Sequence, residues 1–416
     1  MIKRVKANLI QYKVLLENFS FLSVLQISNL LIFLFITPYL FRTLGKESYG
    51  LVVFAQTIAA YFSILVNFGF TVTATKDISI HRDNKEKTSQ IISTVLTLKG
   101  LFFIVSLIVI SLLVLFIPLL NKHPQVFLLS MLFCLSETLF PIWYFQGIER
   151  MKYIAIINII TRVLSSCLIF IFIKESSDYL KVPLVLGTGT VTGAVIGLSV
   201  VFKRHRHKFQ LLSISDLKRS VKENIPLFIS NVSSQIYVNA NKLIVGSFLG
   251  MQDVAVYDIA DKIVGLLKVP VLLIGQTLFP RVSRDRDVSF VKKAMLFVFT
   301  FFVGVYTGVS LFANPMIHLF SGSVNANAAT LLRLLAMSLL PICLGLFFAE
   351  LLLVPFGKLK DYARMRAFSL FIYLTLIGLL INFQLIGLYQ LAGVIIIVES
   401  FVLFYSYFLC KKNKLI

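Results

Sequence analysis

Eleven ionisable side chains stand inside apolar stretches long enough to cross a bilayer. The bases are Lys99, Arg162, Lys242, Lys262, Lys268 and Arg333, and the acids are Glu137, Asp258, Asp261, Glu350 and Glu399. A charge at the bilayer centre costs about 3 kcal/mol or more unless it faces water, a partner or a ligand. Each is therefore a candidate for chemistry. A buried base suits an anion, above all phosphate oxygens, which it binds through strong charge-assisted hydrogen bonds. A buried acid suits a travelling proton, and Asp261, Glu137 and Glu399 are the candidates for that. Residues near the end of a span have a plainer option, which is to reach the headgroups along their own methylenes. That option fits Glu350 and Asp258 best, and Lys99 and Arg333 less well.

Other chemistries find little support. His205 and His207 have no acid or cysteine beside them and read as part of a solvated linker, not a metal site. Cys134, Cys167, Cys343 and Cys410 are single and lie in or at the end of apolar runs, as inert thiols do. No phosphate-cradling glycine loop of the Walker type is present. The expectation is no covalent catalysis, no metal and no cofactor.

The charges fall into stripes. At about 100° per residue, Asp258, Asp261, Lys262, Gly265, Lys268 and Gln276 share one side of a helix otherwise built of Val, Leu and Ile. Asp258 and Lys262, four residues apart, are also placed for a plain intrahelical pair. On the preceding span Asn224, Asn231, Gln235 and Lys242 share a face, and near the N-terminus Gln56, Ala60, Ser63 and Asn67 do the same. Such faces line either a hydrophilic cavity or a set of interhelical hydrogen bonds.

The elements that hold these stripes are transmembrane helices. Of 416 residues, 58% are hydrophobic and 14% charged, and mean hydropathy is +0.88. A spanning helix needs about 20 apolar residues. Twelve such runs can be drawn, at 19–41, 49–72, 91–118, 125–147, 153–173, 181–202, 224–249, 254–279, 291–313, 326–355, 367–385 and 386–409. Only a Gly387 turn parts the last two. With the N-terminus inside, 29 Lys and Arg fall in cytoplasmic stretches and 5 outside. The positive-inside rule then puts both termini in the cytoplasm of a multi-pass protein. The net charge of +21 is thus mostly topological, which removes nucleic acid as a partner.

A half-chain repeat organises the spans. A shift of 205 residues carries Leu44-Gly45 onto Leu249-Gly250, Ala55 onto Ala260 and Ile58 onto Ile263. The expected architecture is all-α and integral to the membrane, two parallel six-helix lobes around a central cavity. Its parts are an amphipathic segment 1–18, an N-lobe 19–202, a basic linker 203–223, a C-lobe 224–410 and a tail 411–416.

PYLFRTLGKESYG with the Asn67-Phe68-Gly69-Phe70 helix, LFPIWYFQGIERMKY (Leu139–Tyr153) and the Lys242–Arg284 stretch resemble the Wzx flippases, within the superfamily of multidrug and lipid-linked oligosaccharide (MOP) exporters. That resemblance implies a MATE-like fold in a bacterial plasma (inner) membrane. It also implies alternating-access transfer of an undecaprenyl-diphosphate-linked oligosaccharide, an O-antigen or other surface polysaccharide repeat unit, to the outer leaflet. Lys242, Lys268, Lys262, Arg42, Arg162, Lys99 and Arg333 would then serve the diphosphate, and Gln56, Asn67, Asn231 and Gln235 the sugars. The family often has an acid beside the basic position of helix seven, where this chain has Asn241. Partners implied are the lipid-linked sugar, membrane lipids, a polysaccharide polymerase and a chain-length regulator. The rivals are an ion-coupled multidrug exporter, which would favour acids and aromatics, and a membrane polymerase or ligase, which would need a large outside loop. A passive channel would need a polar pore motif.

Overall fold

Gly45 divides the first helical run, α1 (Ile2–Asn67), into two arms, because its φ of 74° and ψ of 170° belong to no helix. That backbone region is open to glycine almost alone, so the turn between the first two expected spans is a property of one residue. The computed structural model describes the backbone of residues 2–210, 212–322 and 326–416. The side chains of 1–16, 19, 211, 230, 231, 233–238, 280 and 323–325 lie outside the described residues; they include Asn231, Gln235 and most of the expected amphipathic segment.

By internal contacts the chain divides into Met1–Val232 and Ser233–Ile416. In the first unit α1 is followed by α2 (Phe70–His81), α3 (Lys85–Phe116), the short α4 (Pro118–Asn121), α5 (Pro124–Leu139), α6 (Ile142–Gly147) and α7 (Met151–Phe172). A 3-10 turn (Ser176–Leu180), α8 (Lys181–Ser199) and a π-helical turn (Val200–Arg204) complete it, with the start of α9 (Ile214–Phe248). The division thus falls inside α9. The second unit continues with α10 (Met251–Asp285), α11 (Val288–Ser321), α12 (Ala326–Met337) and α13 (Leu339–Gly345). A π-helical stretch (Leu346–Leu353), α14 (Leu359–Asn382) and α15 (Leu388–Lys412) end it.

Local chemistry accounts for the boundaries. The Asn84 side chain accepts from the Lys87 amide and caps α3, and Asp287 does the same for Phe290 at α11. Pro118 and Pro124 open α4 and α5, where the missing N–H is harmless. Two expected spans are broken within. The 49–72 run stops at Phe68 and Gly69, both with positive φ, before α2 resumes it. The 125–147 run breaks at Phe140-Pro141. The long 326–355 run is α12, α13 and the π-helical stretch in succession.

Among the described residues ten helical segments are long and apolar enough to cross a membrane. The first, Ser20–His81, contains the Gly45 turn, and α9 overlaps the expected seventh span. The chain is an all-α, multi-pass membrane protein.

The core of the first unit joins α2, α3, α6 and α7 through Phe70, Ile78, Ile92, Val95, Trp143, Phe145 and Ile154. Helix α8 packs closely on α5 and α7, since a Cβ at Gly187 would stand 2.6 Å from Leu132 and one at Gly193 3.0 Å from Thr161. Small residues that let backbones approach are the usual means of joining helices in lipid. In the second unit Phe347, Leu351 and Leu352 of the π-helical stretch are buried.

Candidate functional site

Lys99 of α3 is wholly buried. Its Nζ donates to the Glu137 carbonyl at 2.7 Å and lies 3.9 Å from the Glu137 carboxylate. The carbonyl is available for a simple reason. In an unbroken helix it would accept from the amide four residues on, but residue 141 is proline and has no N–H. Lys99 fills that vacancy. The Glu137 carboxylate also accepts from Asn67 Nδ2 at 3.1 Å, and Asn67 Oδ1 accepts from Thr71 at 2.7 Å. One buried base thus ties the break between α5 and α6 to the break between α1 and α2. Lys99 is enclosed, so the snorkelling option does not hold for it.

Arg162 differs. It stands in the middle of α7, is exposed, and donates to Asn29 Oδ1 of α1 at 2.6 Å. Among the described residues no carboxylate lies within the 4.0 Å ion-pair limit of it. Arg42 is exposed and close to the Gly45 turn, and Gln56 is half-buried on the second arm of α1.

The second unit gathers four charges. Lys242 of α9 lies 2.8 Å from Asp258 Oδ1 and 3.0 Å from Asp261 Oδ2, and Lys262 lies 2.8 Å from Asp258 Oδ2. Asp258 is 1% exposed. The expectation that it snorkels therefore fails: it is a bridge between two lysines, deep in the helix pair. Two acids and two bases close together make a neutral cluster, which a low-dielectric interior tolerates only when all members are paired. Beside it Tyr373 of α14 donates to Asn241 Oδ1 at 2.6 Å, and Asn241 Nδ2 donates to Tyr257 at 2.8 Å. Asn241 thus fastens three helices, while the acids next to Lys242 come from α10.

Of the remaining candidates, Lys268 of α10 and Arg366 of α14 are the cations within electrostatic reach of Glu399 of α15. Arg366 also pairs with Glu350 at 3.3 Å. Arg333 is half-buried and donates to the Ser310 carbonyl at 3.0 Å, a helix-to-helix tie.

The linker histidines are not solvated as expected. Tyr144 Oη lies 2.8 Å from His205 Nδ1 and 3.0 Å from His207 Nε2, and His207 Nδ1 lies 3.1 Å from Ser89 Oγ. The protons can be assigned by elimination. Ser89 donates to the Lys85 carbonyl, so it accepts from His207 Nδ1–H. His207 Nε2 then accepts the Tyr144 proton, and Tyr144 accepts from His205 Nδ1–H. Both rings are neutral in this scheme. Burial, then neighbouring positive charge (Arg150 and Arg204 for His205; Lys85 for His207), holds both imidazoles below their ordinary value.

Sequence reasoning missed Asn29, Tyr144 and the role of Asn241. Asn29 and Asn241 are polar residues within spans, a usable signal; Tyr144 sits in an aromatic run and gives none.

The fold class follows from solved structures that match nearly the whole chain. An inward-facing multidrug resistance MATE family transporter of the MOP superfamily is 16% identical, with a TM-score of 0.67 over 95% of this chain and 98% of that one. The lipid II flippase MurJ, in its inward closed conformation, is 17% identical with a TM-score of 0.69 over 94% and 87%. The fold is that of the MOP exporters. The profile of the family described as "Polysaccharide biosynthesis protein" matches residues 15–286, and the chain belongs to that family. A putative O-antigen transporter of Escherichia coli (strain K12) is 30% identical over 280 residues, 67% of this chain and 68% of the relative. Another, of Shigella dysenteriae, is 24% identical over 387 residues, 91% and 95% of the two chains.

Proposed function

We propose that this protein is a flippase, a transporter without enzymatic activity, which carries a polyprenyl-diphosphate-linked oligosaccharide from the cytoplasmic to the outer leaflet of a bacterial plasma membrane. The observation that carries the reading is Arg162. A guanidinium in mid-span, held toward Asn29 and without a carboxylate partner among the described residues, is costly in an empty protein. An arriving diphosphate offsets that cost, and the planar guanidinium matches its paired oxygens. The similarity to putative O-antigen transporters and to a lipid II flippase supports the same cargo. A multidrug exporter of organic cations would be repelled by this cation.

In this reading the lipid tail stays in the bilayer while the headgroup crosses by alternating access, and both termini face the cytoplasm. Lys242 is already neutralised by Asp258 and Asp261, which suits the cluster to ion coupling. Asp261, at 32% side-chain exposure, is its accessible acid. Glu137 and Glu399 are the other candidate proton carriers. A polymerase and a chain-length regulator of the same surface polysaccharide are the expected partners.

The test is export of the lipid-linked sugar at matched protein levels in cells lacking their own transporter. Arg162→Ala should lower export at least ten-fold, and Arg162→Lys should retain part of it. Normal export by Arg162→Ala would remove the diphosphate from this site.

A further inference from the structure

A second polar feature of the first unit lies apart from Arg162. One side of α2 along its whole length, the first turns of α3 and the start of α9 line a cavity of about 560 Å³. Ligand sites occupy roughly 300–1,000 Å³, so the space exceeds what one sugar ring fills. By the positive-inside orientation these helix ends face the cytoplasm.

The lining is unlike a phosphate site. Lys76, Lys87 and Arg219 stand against Asp77, Asp216 and Glu223, so formal charges cancel and neither an anion nor a cation is preferred. Asp77 feels Glu223 and Arg219 of α9 from across the space. Arg219 and Glu223 pair at 3.3 Å. Among the described residues, Lys76, Asp77 and the Gln90 amide group make no hydrogen bond or ion pair, so their donor and acceptor capacity is open to a ligand. Phe70 and Val95 supply an apolar floor. The shape is held by other groups: Thr73 donates to the buried Asn224 at 2.7 Å, and Asn224 donates to the Ser220 carbonyl at 2.9 Å.

Carboxylates that accept, an ammonium that donates and an amide that does both, over an apolar floor, match a neutral, polyhydroxylated ring. We propose that this cavity binds sugars of the oligosaccharide headgroup, and so selects which repeat unit is carried. This rests on the flippase reading and adds a specificity site to it. A site that hydrogen-bonds substrate hydroxyls discriminates strongly, because its polar groups are left unpaired by a cargo that lacks them.

The experiment compares two cargoes in cells without their own transporter: the complete lipid-linked repeat unit, and a precursor ending after the first sugar. Gln90→Ala and Asp77→Asn should lower export of the complete unit at least five-fold and leave the truncated precursor unchanged. A parallel fall for both cargoes, or no change for either, would overturn the proposal while leaving the flippase intact. Wild-type protein that exports neither would overturn both readings. A second measurement needs no transport. Saturation-transfer NMR on protein in nanodiscs, with neutral hexose and N-acetylhexosamine disaccharides as probes, should show contacts that both variants lose. Inorganic pyrophosphate should neither show nor displace them; a pyrophosphate signal abolished by the same variants would reassign the cavity to phosphate.

Discussion

Lys242 Nζ and Asp258 Oδ1 lie 2.8 Å apart, on two helices, at a carboxylate that is 1% exposed. An enclosed pair behaves asymmetrically under mutation. Removing one member of a buried pair can cost about 3–5 kcal/mol, whereas replacing both with apolar groups can be neutral. Here Asp258 serves both Lys242 and Lys262, while Lys242 has Asp261 as a second acid at 3.0 Å. Asp258→Ala should therefore destabilise strongly, because it removes the carboxylate shared by Lys242 and Lys262, and Asp258→Leu/Lys262→Met, which keeps the Lys242–Asp261 pair, should recover most of the loss. If the cluster couples an ion to transport, the stable double variant should still fail to export. Unfolding in detergent and export assays check the two halves. A single variant as stable as the double would mean that the pair carries no such strain.

The linker histidines make a pH prediction. Their imidazoles titrate below the ordinary value of 6.5 when docked, so the released linker binds protons more readily than the docked one. Docking is then at full strength above about pH 6.5, and is lost progressively as pH falls from there toward the lower, docked value. Trp143 is the one tryptophan of the chain and is buried beside Tyr144. Its emission should shift toward the red as pH is lowered across that window. Tyr144→Phe should show the shift already at neutral pH.

Gly45 and Gly250 hold related backbone conformations, with φ 74°, ψ 170° and φ 111°, ψ 173°. They are the two glycines that the shift of 205 residues superposes. A Cβ at either would meet nothing within 4 Å, so replacement with Ala costs backbone strain alone, about 1–3 kcal/mol. Gly100→Ala, which is helical and equally free of neighbours, should be neutral or stabilising by up to about 1 kcal/mol. Thermal unfolding of the three variants should separate into these two classes.

Orientation is testable directly. A reporter active only in the cytoplasm should be active when fused after Lys208 or Lys411 and silent after Lys122 or Lys181. Activity at Lys122 would break the assignment of both termini to the cytoplasm.

The spans were legible because an apolar run of membrane length has few other uses. The polar side of α10 was legible too, since a 100° periodicity is a property of one helix. What faces that side was not. Nothing in the order of residues says that Lys242 inserts between Asp258 and Asp261, or that Asn241 is held by Tyr373, because helix–helix register is set by packing across the whole unit. The linker shows the same limit in reverse. His205 and His207 sit in a stretch whose composition is that of a solvated surface, and only the approach of Tyr144 and Ser89 buries them. Breaks were partly visible: Pro141 and Gly69 are signals in themselves, but neither says what takes up the backbone groups it frees.

The lysine that stands in for proline's missing hydrogen ties the histories of two distant positions. With Pro141 in place, Lys99 has a carbonyl to serve and its burial is compensated. Were residue 141 to regain an amide hydrogen, the helix could satisfy Glu137 by itself, and Lys99 would be left competing for a bond already made. Were Lys99 lost first, an orphaned carbonyl would remain, beside a carboxylate that keeps its Asn67 donor but has lost its base. Neither residue drifts alone at small cost, so this break between α5 and α6 is a locked combination that mutation opens only by changing both sites together.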